Sequence, residues 1–353
     1  MSRSLRSSGH LASLALAWAV AGAAAAEEPA SVPKAPLAST PRKTALEYTP
    51  TEWLKRMDRA LTTRNYDGTF AHWQGGRVEM LRIIHRVQDG TVSERLASLD
   101  GSGREFIRTG ASLTCYLPDR RTVLVEQRPA EESLVSFPTV NDQTASFYDI
   151  REVGHMRLNR RATHVITVSP KDEYRYGYRL WIDESTAMPL KSQLDDAHGQ
   201  VIEQIVFANL TLSSRIPDAA FRPEISTEGF QWLHNDAAPH LQPGAAAPAW
   251  SATSLPPGFR MTVRSAQILP GSAGPVDHLV FTDGFASVSV FVERQTAPSG
   301  QPPVPESATV GSSSAFSTVV DGHKITAVGE VPPATVRFIA SQLKAQGAPA
   351  PGR

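Results

Sequence analysis

The sequence predicts an α+β protein that is mainly antiparallel β. The expected architecture is a large unclosed β-barrel with a helical lid plus a smaller α+β C-terminal domain. Three observations carry this expectation. Apolar and polar residues alternate at period two through about ten short runs between residues 69 and 212. A helical-period segment, "TPTEWLKRMDRAL", precedes those runs, and another, "PPATVRFIASQL", lies near the end of the chain. Two stretches rich in Pro and Ala, 27–48 and 231–249, divide the chain.

Residues 1–26 have the layout of a secretory signal. Arg3 and Arg6 form a basic start, Leu11–Val20 an apolar centre, and Ala24-x-Ala26 a cleavage site. The apolar centre is shorter than the ~20 residues a spanning helix needs, so export to the periplasm is expected. Residues 27–48 carry Pro29, Pro33, Pro36 and Pro41 and read as a disordered leader. Thr49 then caps a helix, with Pro50 at its first position and Glu52 completing a capping box. Trp53, Leu54, Met57, Ala60 and Leu61 give that helix one apolar face, suited to cover the concave side of a sheet.

The strand pattern begins with "TFAHWQ" and "VEMLRIIHRV", a hairpin around Gly75-Gly76. "TVSERLASL", "REFIRTG", "SLTCYL" and "RTVLVEQ" follow, then an irregular stretch at 135–154 with room for a helix or lid. "ATHVITVSP", "YRYGYRLWID", "PLKSQLDD" and "VIEQIVFANLTL" resume the meander. Residues 49–230 thus form the half-barrel, 231–249 a linker, 250–345 the small domain and 346–353 a tail. In the small domain, Asp283-Gly284 and Asp321-Gly322 mark hairpins. Val336, Ile339, Ala340 and Leu343 form the apolar stripe of its helix.

The chain has 35 basic and 35 acidic residues and one cysteine. Balanced charge argues against a general affinity for nucleic acid, and a single cysteine forbids an internal disulfide. There is no nucleophile elbow, phosphate loop or His-Glu-x-x-His motif, and the ten histidines fall at no metal-ligand spacing. No catalytic residue, metal or cofactor is expected. Cys115 lies on the Leu113–Leu117 face and reads as a small buried hydrophobe. Asp195-Asp196 reads as part of a turn. Arginines crowd 104–179, either as anion partners or as a solvated outer face.

In "YRYGYRLWID", Tyr174, Tyr176, Tyr178, Leu180 and Ile182 alternate with Arg175, Gly177, Arg179, Trp181 and Asp183. Such a strand has an apolar and a basic face. A buried tyrosine hydroxyl without a partner costs ~1–3 kcal/mol, so three in a row suit a cavity wall; an ordinary core with tyrosines at its rim is the alternative.

"YRYGYRLWIDESTAMPLKSQLDDAHGQVIEQIVFANL", with "SGREFIRTG" and "CYLPD", resembles the larger domain of the RseB/MucB family of periplasmic sigma-E regulators. "LPPGFRM", "HLVFTDGFASVSVFVE" and "ITAVGEVPPATVRFIA" resemble its small C-terminal domain. The long leader and the Pro-rich loop 296–307 depart from the family pattern. The resemblance implies a half-barrel similar to the LolA/LolB lipoprotein carriers. It also implies that the small domain grips the periplasmic tail of a transmembrane anti-sigma factor of RseA/MucA type. The tail would be shielded from site-one proteolysis and released by lipopolysaccharide or another lipid. Phe281, Asp283, Phe285, Val288 and Val290, with Val331 and Pro332 of the "VGEVPP" turn, are the candidate tail-binding surface. Trp53, Met57, Tyr174, Tyr176 and Tyr178 are the candidate lipid lining, with Arg104 and Arg108 as phosphate partners. A lipid or lipoprotein carrier is the rival reading, and a homo-oligomer is compatible with either.

Overall fold

The computed structural model describes residues 48–127, 133–135, 137–138, 143–235, 249–267, 274–294 and 305–346. The expected signal, residues 27–47 of the leader, 236–248 of the linker, 296–304 of the Pro-rich loop and the tail after residue 346 lie outside them.

Helix α1 (Pro50–Thr63) starts as the sequence requires. The Thr49 amide donates to the Glu52 carboxylate at 2.7 Å and the Glu52 amide to the Thr49 hydroxyl at 3.3 Å. Twelve strands then build one sheet: β1 (Tyr66–Gln74), β2 (Arg77–Gln88), β3 (Thr91–Ser98), β4 (Glu105–Thr109), β5 (Ser112–Leu117), β6 (Thr122–Gln127), β7 (Tyr148–Leu158), β8 (Arg161–Pro170), β9 (Gly177–Asp183), β10 (Pro189–Asp195), β11 (Val201–Leu212) and β12 (Gln231–Asn235). Their order is β12-β6-β5-β4-β3-β2-β1-β11-β10-β9-β8-β7, with two ends that do not pair. All contacts are antiparallel except β12 on β6.

Trp53, Leu54, Met57 and Ala60 of α1 pack against Tyr66, Phe70, Ile83, Ile166, Leu180, Ile182 and Phe207. Those partners come from β1, β2, β8, β9 and β11. Laid flat, the strands from β2 to β8 would span about 24 Å at ~4.8 Å spacing. A helix is only ~10 Å across, so the sheet must curl around α1 for one helix to meet them all. The result is an unclosed barrel filled by its helix.

The irregular stretch contains the short helix α2 (Thr144–Phe147) and runs into β7. β7 escaped the period-two reading because a bulge at 152–154 breaks its alternation. β12 occupies the first five residues of the expected linker, its ladder on β6 giving these residues backbone partners.

The smaller unit has two sheets. β13 (Ala249–Ala252) pairs with β20 (Leu343–Gln346). The main sheet contains β14 (Arg260–Gln267), β15 (Val276–Thr282), β16 (Ser287–Arg294), β17 (Glu306–Val310), β18 (Ser313–Val320) and β19 (His323–Gly329), ordered β14-β15-β16-β19-β18-β17. Helix α3 (Pro333–Ser341) packs on it, burying Val336, Ile339 and Ala340 against Leu279, Val288, Val290, Ile325 and Ala327.

Candidate functional site

The turn between β8 and β9 joins the two domains through one arginine. Arg175 is wholly buried, although the period-two pattern puts it on an outer face. Strand pairing begins only at Gly177, so Tyr174–Tyr176 belong to the turn. Arg175 Nε donates to Asp283 Oδ2 at 2.5 Å, and its other two nitrogens donate to the Asp172 carboxylate and the Pro257 carbonyl. The Tyr148 hydroxyl donates to the same Asp283 oxygen at 3.3 Å. Asp283 Oδ1 accepts from the amides of Phe285 and Ala286 at 2.8 and 2.7 Å. One carboxylate therefore folds a small-domain hairpin and grips the larger domain. Rings of Phe147, Phe259 and Tyr148 surround the guanidinium at 4.9, 5.1 and 5.7 Å. Burial opposes the charge on Arg175, but Asp283 and Asp172 outweigh it and hold its pKa above the ordinary value. Burial and the Asp283 carboxylate push the Tyr148 phenol up, so it stays a hydrogen-bond donor.

Beside this joint lies a cavity of about 320 Å³. Tyr178, Ser192, Leu194, Glu203 and Ile205 form its large-domain wall; Gly284, Phe285, Ser287 and Glu330 form the other, with Phe137 and Pro138 between. The Phe285 ring lies 4.9 Å from Tyr148 and 6.2 Å from Tyr178. Glu203 accepts from Gln74 at 3.0 Å and lies 3.0 Å from His72. Gln74 also donates to Ser312 at 2.8 Å. This second crossing needs Gly311, at φ 61°, where a Cβ would come within 2.5 Å of the Gln74 side chain. Burial would raise the Glu203 carboxyl, but hydrogen bonds from His72, Ser312 and Gln74 prevail and lower it. Burial, then repulsion by Glu203, pushes Glu330 up. The hydrogen bond to Glu203 holds His72 up.

The structure scatters the residues singled out from sequence. Phe281, Val288, Val290 and Val331 are almost completely buried and Pro332 is buried with them, because α3 covers that face of the sheet. As the domains stand, these five offer no surface to a partner. Asp283 and Phe285 face the larger domain instead. Trp53 and Met57 fill the space beneath α1 and do not line the cavity. Tyr174 meets Phe338 of α3 at 5.3 Å, and its carbonyl accepts from the Thr335 hydroxyl at 2.8 Å. Tyr176 is buried. Of the three tyrosines only Tyr178 reaches the cavity, where burial raises its phenol. Arg104 pairs with Glu79 at 2.6 Å, and buried Arg108 with Glu94 at 3.2 Å. Both cations already have carboxylate partners, so neither stands ready for a phosphate. Cys115 is buried, and Asp196 caps its turn by accepting from the His198 and Gln200 amides at 2.8 Å each.

Asp172, Tyr148, Glu203 and Glu330 had no sequence signal beyond residue type, and Arg175 was assigned to the wrong surroundings. Contrary to the spacing argument, a metal-ligand grouping exists among the described residues: Glu152, His155 and His164, with ligand atoms within 4.8 Å of one another.

Comparison with known proteins matches both domains. A family model described as the MucB/RseB N-terminal domain covers residues 49–225, and one described as the MucB/RseB C-terminal domain covers 244–344. The sigma factor AlgU regulatory protein MucB of Pseudomonas aeruginosa is 31% identical over 301 residues, 84% of this chain and 91% of that one. The sigma-E factor regulatory protein RseB of Salmonella typhimurium is 30% identical over 305 residues, 82% of this chain and 89% of that one. Among solved structures, a MucA/MucB complex of P. aeruginosa aligns with a TM-score of 0.67 at 28% identity, over 85% of this chain and 99% of that chain. A crystal structure of MucB aligns at 0.56 with 28% identity, over 84% and 98%.

Proposed function

The chain belongs to the MucB/RseB family, and we propose that it is a periplasmic negative regulator of a sigma-E-type envelope-stress response. In this reading it binds the periplasmic region of a transmembrane anti-sigma factor and shields it from site-one proteolysis. The observation that carries the reading is likeness across both domains to a MucB chain solved with MucA.

The joint supplies a mechanism for release. The cavity's volume is at the low end of the range for small-molecule sites. Phe137, Leu194, Ile205 and Phe285 offer an apolar wall to an acyl chain. Glu203 and Glu330 face the same space, so a phosphate headgroup stays outside it. A chain entering here wedges Phe285 away from Tyr178 and strains the hairpin that Asp283 ties to Arg175. If the anti-sigma tail needs the docked arrangement and lipid favours the parted one, each weakens the other's binding by the same factor.

The test is protection. An anti-sigma periplasmic domain is digested by its site-one protease with and without the purified protein, and again after adding lipopolysaccharide. Slower cleavage, restored by the lipid, supports the proposal. Unchanged cleavage at saturating protein overturns the shielding role, and protection insensitive to lipid overturns the release mechanism.

A further inference from the structure

We propose that Glu152, His155 and His164 form a binding site for a divalent transition-metal ion of the zinc type, on the edge strand β7 and its neighbour β8. The site is independent of the regulatory reading above.

Backbone geometry brings the three together. His155 of β7 and His164 of β8 are direct cross-strand partners, so their side chains rise from the same face. Glu152 lies three residues before His155, and in a regular strand that spacing puts two side chains on opposite faces. The bulge removes the conflict. Glu152 pairs with Ile166 and Gly154 with Val165, leaving Val153 as the extra residue without a cross-strand partner. The additional step returns Glu152 to the face of both histidines.

The distances fit a metal. Glu152 Oε1 lies 2.7 Å from His164 Nδ1 and 3.1 Å from His155 Nε2. With bonds of ~2.0–2.1 Å, tetrahedral zinc holds its ligand atoms about 3.3 Å apart. All three ligand atoms lie within 4.8 Å of one another, so a metal entering between them displaces the hydrogens the imidazoles share with the carboxylate and draws the atoms to a common separation of ~3.3 Å. Two imidazoles and one carboxylate make three protein ligands, and the fourth position is left for water. Imidazole nitrogen favours zinc, copper and nickel over magnesium or calcium.

The surroundings support an open but oriented site. The His155 side chain is 67% exposed, which gives an ion access. His164 is mostly buried, its ring 4.0 Å from that of Trp53 in α1 and 4.6 Å from that of His155. The Trp53 ring limits the orientations open to His164, a supporting contact of the kind that sets ligand geometry. Metal binding would fasten β7 and β8 beneath the start of α1.

The test uses tag-free full-length mature protein, stripped with chelator, and zinc chloride as the probe in isothermal titration. Wild type should bind one more equivalent than His155→Ala, with that equivalent reversed by EDTA. Cobalt should give the visible absorption of a tetrahedral ion in wild type and not in His155→Ala. Glu152→Gln should weaken the site by at least ~10-fold, a loss that even outer-shell partners of a metal can cause. His155 is exposed, so its replacement leaves the fold intact, and matching melting temperatures without metal check this. A zinc-dependent rise in melting temperature should appear in wild type alone. Equal zinc stoichiometry and affinity in wild type and His155→Ala overturns the proposal and leaves a hydrogen-bonded His–Glu cluster only. So does the absence of binding by wild type at 100-micromolar zinc, ~10⁻⁴ M being far weaker than structural zinc sites.

Discussion

Replacing Asp283 with alanine removes an acceptor used by four donors at once: Arg175, Tyr148 and the amides of Phe285 and Ala286. Breaking a buried ion pair by deleting one partner costs about 3–5 kcal/mol. Asp172 and the Pro257 carbonyl still hold Arg175, which places the charge contribution at the low end, ~3 kcal/mol. The Tyr148 hydroxyl, left without its acceptor, adds ~1 kcal/mol or more. With the Phe285 and Ala286 amides also losing an acceptor, the expected loss is at least ~4 kcal/mol, a large share of the ~5–15 kcal/mol typical of whole proteins. Most of the loss falls on the joint, and a smaller part on the Asp283–Ala286 turn whose amides lose their acceptor, since the cores of both domains are untouched. Urea denaturation followed by tryptophan fluorescence should show the transition broadening or splitting in two, and small-angle scattering should show a larger radius of gyration before either domain unfolds. Asp283→Asn keeps an oxygen for the hairpin amides and should lose less. A change below ~1 kcal/mol for Asp283→Ala, with unaltered scattering, would refute the claim that this carboxylate holds the domains together.

Other consequences follow from the same contacts. Gly258 has φ 81°, and a Cβ there would lie 2.3 Å from the Phe147 ring. Gly258→Ala should cost more than ~1 kcal/mol, with partial rescue by Phe147→Ala in the same denaturation assay. Met57 is fully buried beneath α1, so Met57→Ala should cost ~2–5 kcal/mol through a cavity and lower the melting temperature without parting the domains. The polar crossing should respond to pH. His72 is raised above 6.5, so its contribution is complete below that value and disappears as pH rises through the folded pKa. Glu330 is raised above 4.5 and acts in the same direction, its favourable protonated form being lost as pH rises. Glu203 is lowered below 4.5, and its contribution disappears as pH falls through the folded pKa. The urea midpoint of domain separation should therefore peak toward the acid end of the interval between about pH 4.5 and 6.5, because Glu330 already loses its contribution above 4.5, and His72→Gln should flatten its alkaline side.

Much of the fold was legible because local rules and tertiary packing agree. The Thr49–Glu52 capping box, the Gly75-Gly76 and Asp321-Gly322 turns, and the α3 stripe all stand where sequence placed them. β7 was not legible, since a single extra residue at Val153 shifts every later side chain to the other face. The same shift hid the Glu152–His155–His164 grouping, which no sequence spacing encodes. Arg175 was misplaced because alternation was extended three residues past the true start of β9, into a turn whose geometry is set by Asp172 and Asp283. The arginine cluster read ambiguously for a similar reason. Arg104 and Arg108 find acids on other strands, Glu79 and Glu94, and such pairing is invisible until strand register is known. Residues chosen for the tail-binding surface share the hydrophobicity of a core, and sequence alone does not separate an apolar interface from an apolar interior.

The most direct measurement of the account is calorimetric titration of the mature protein with the periplasmic domain of an anti-sigma factor of RseA/MucA type, at physiological salt. Saturable binding, weakened by lipopolysaccharide and by Asp283→Ala, is the expected result. No detectable binding by well-folded protein would contradict the regulatory reading at its root.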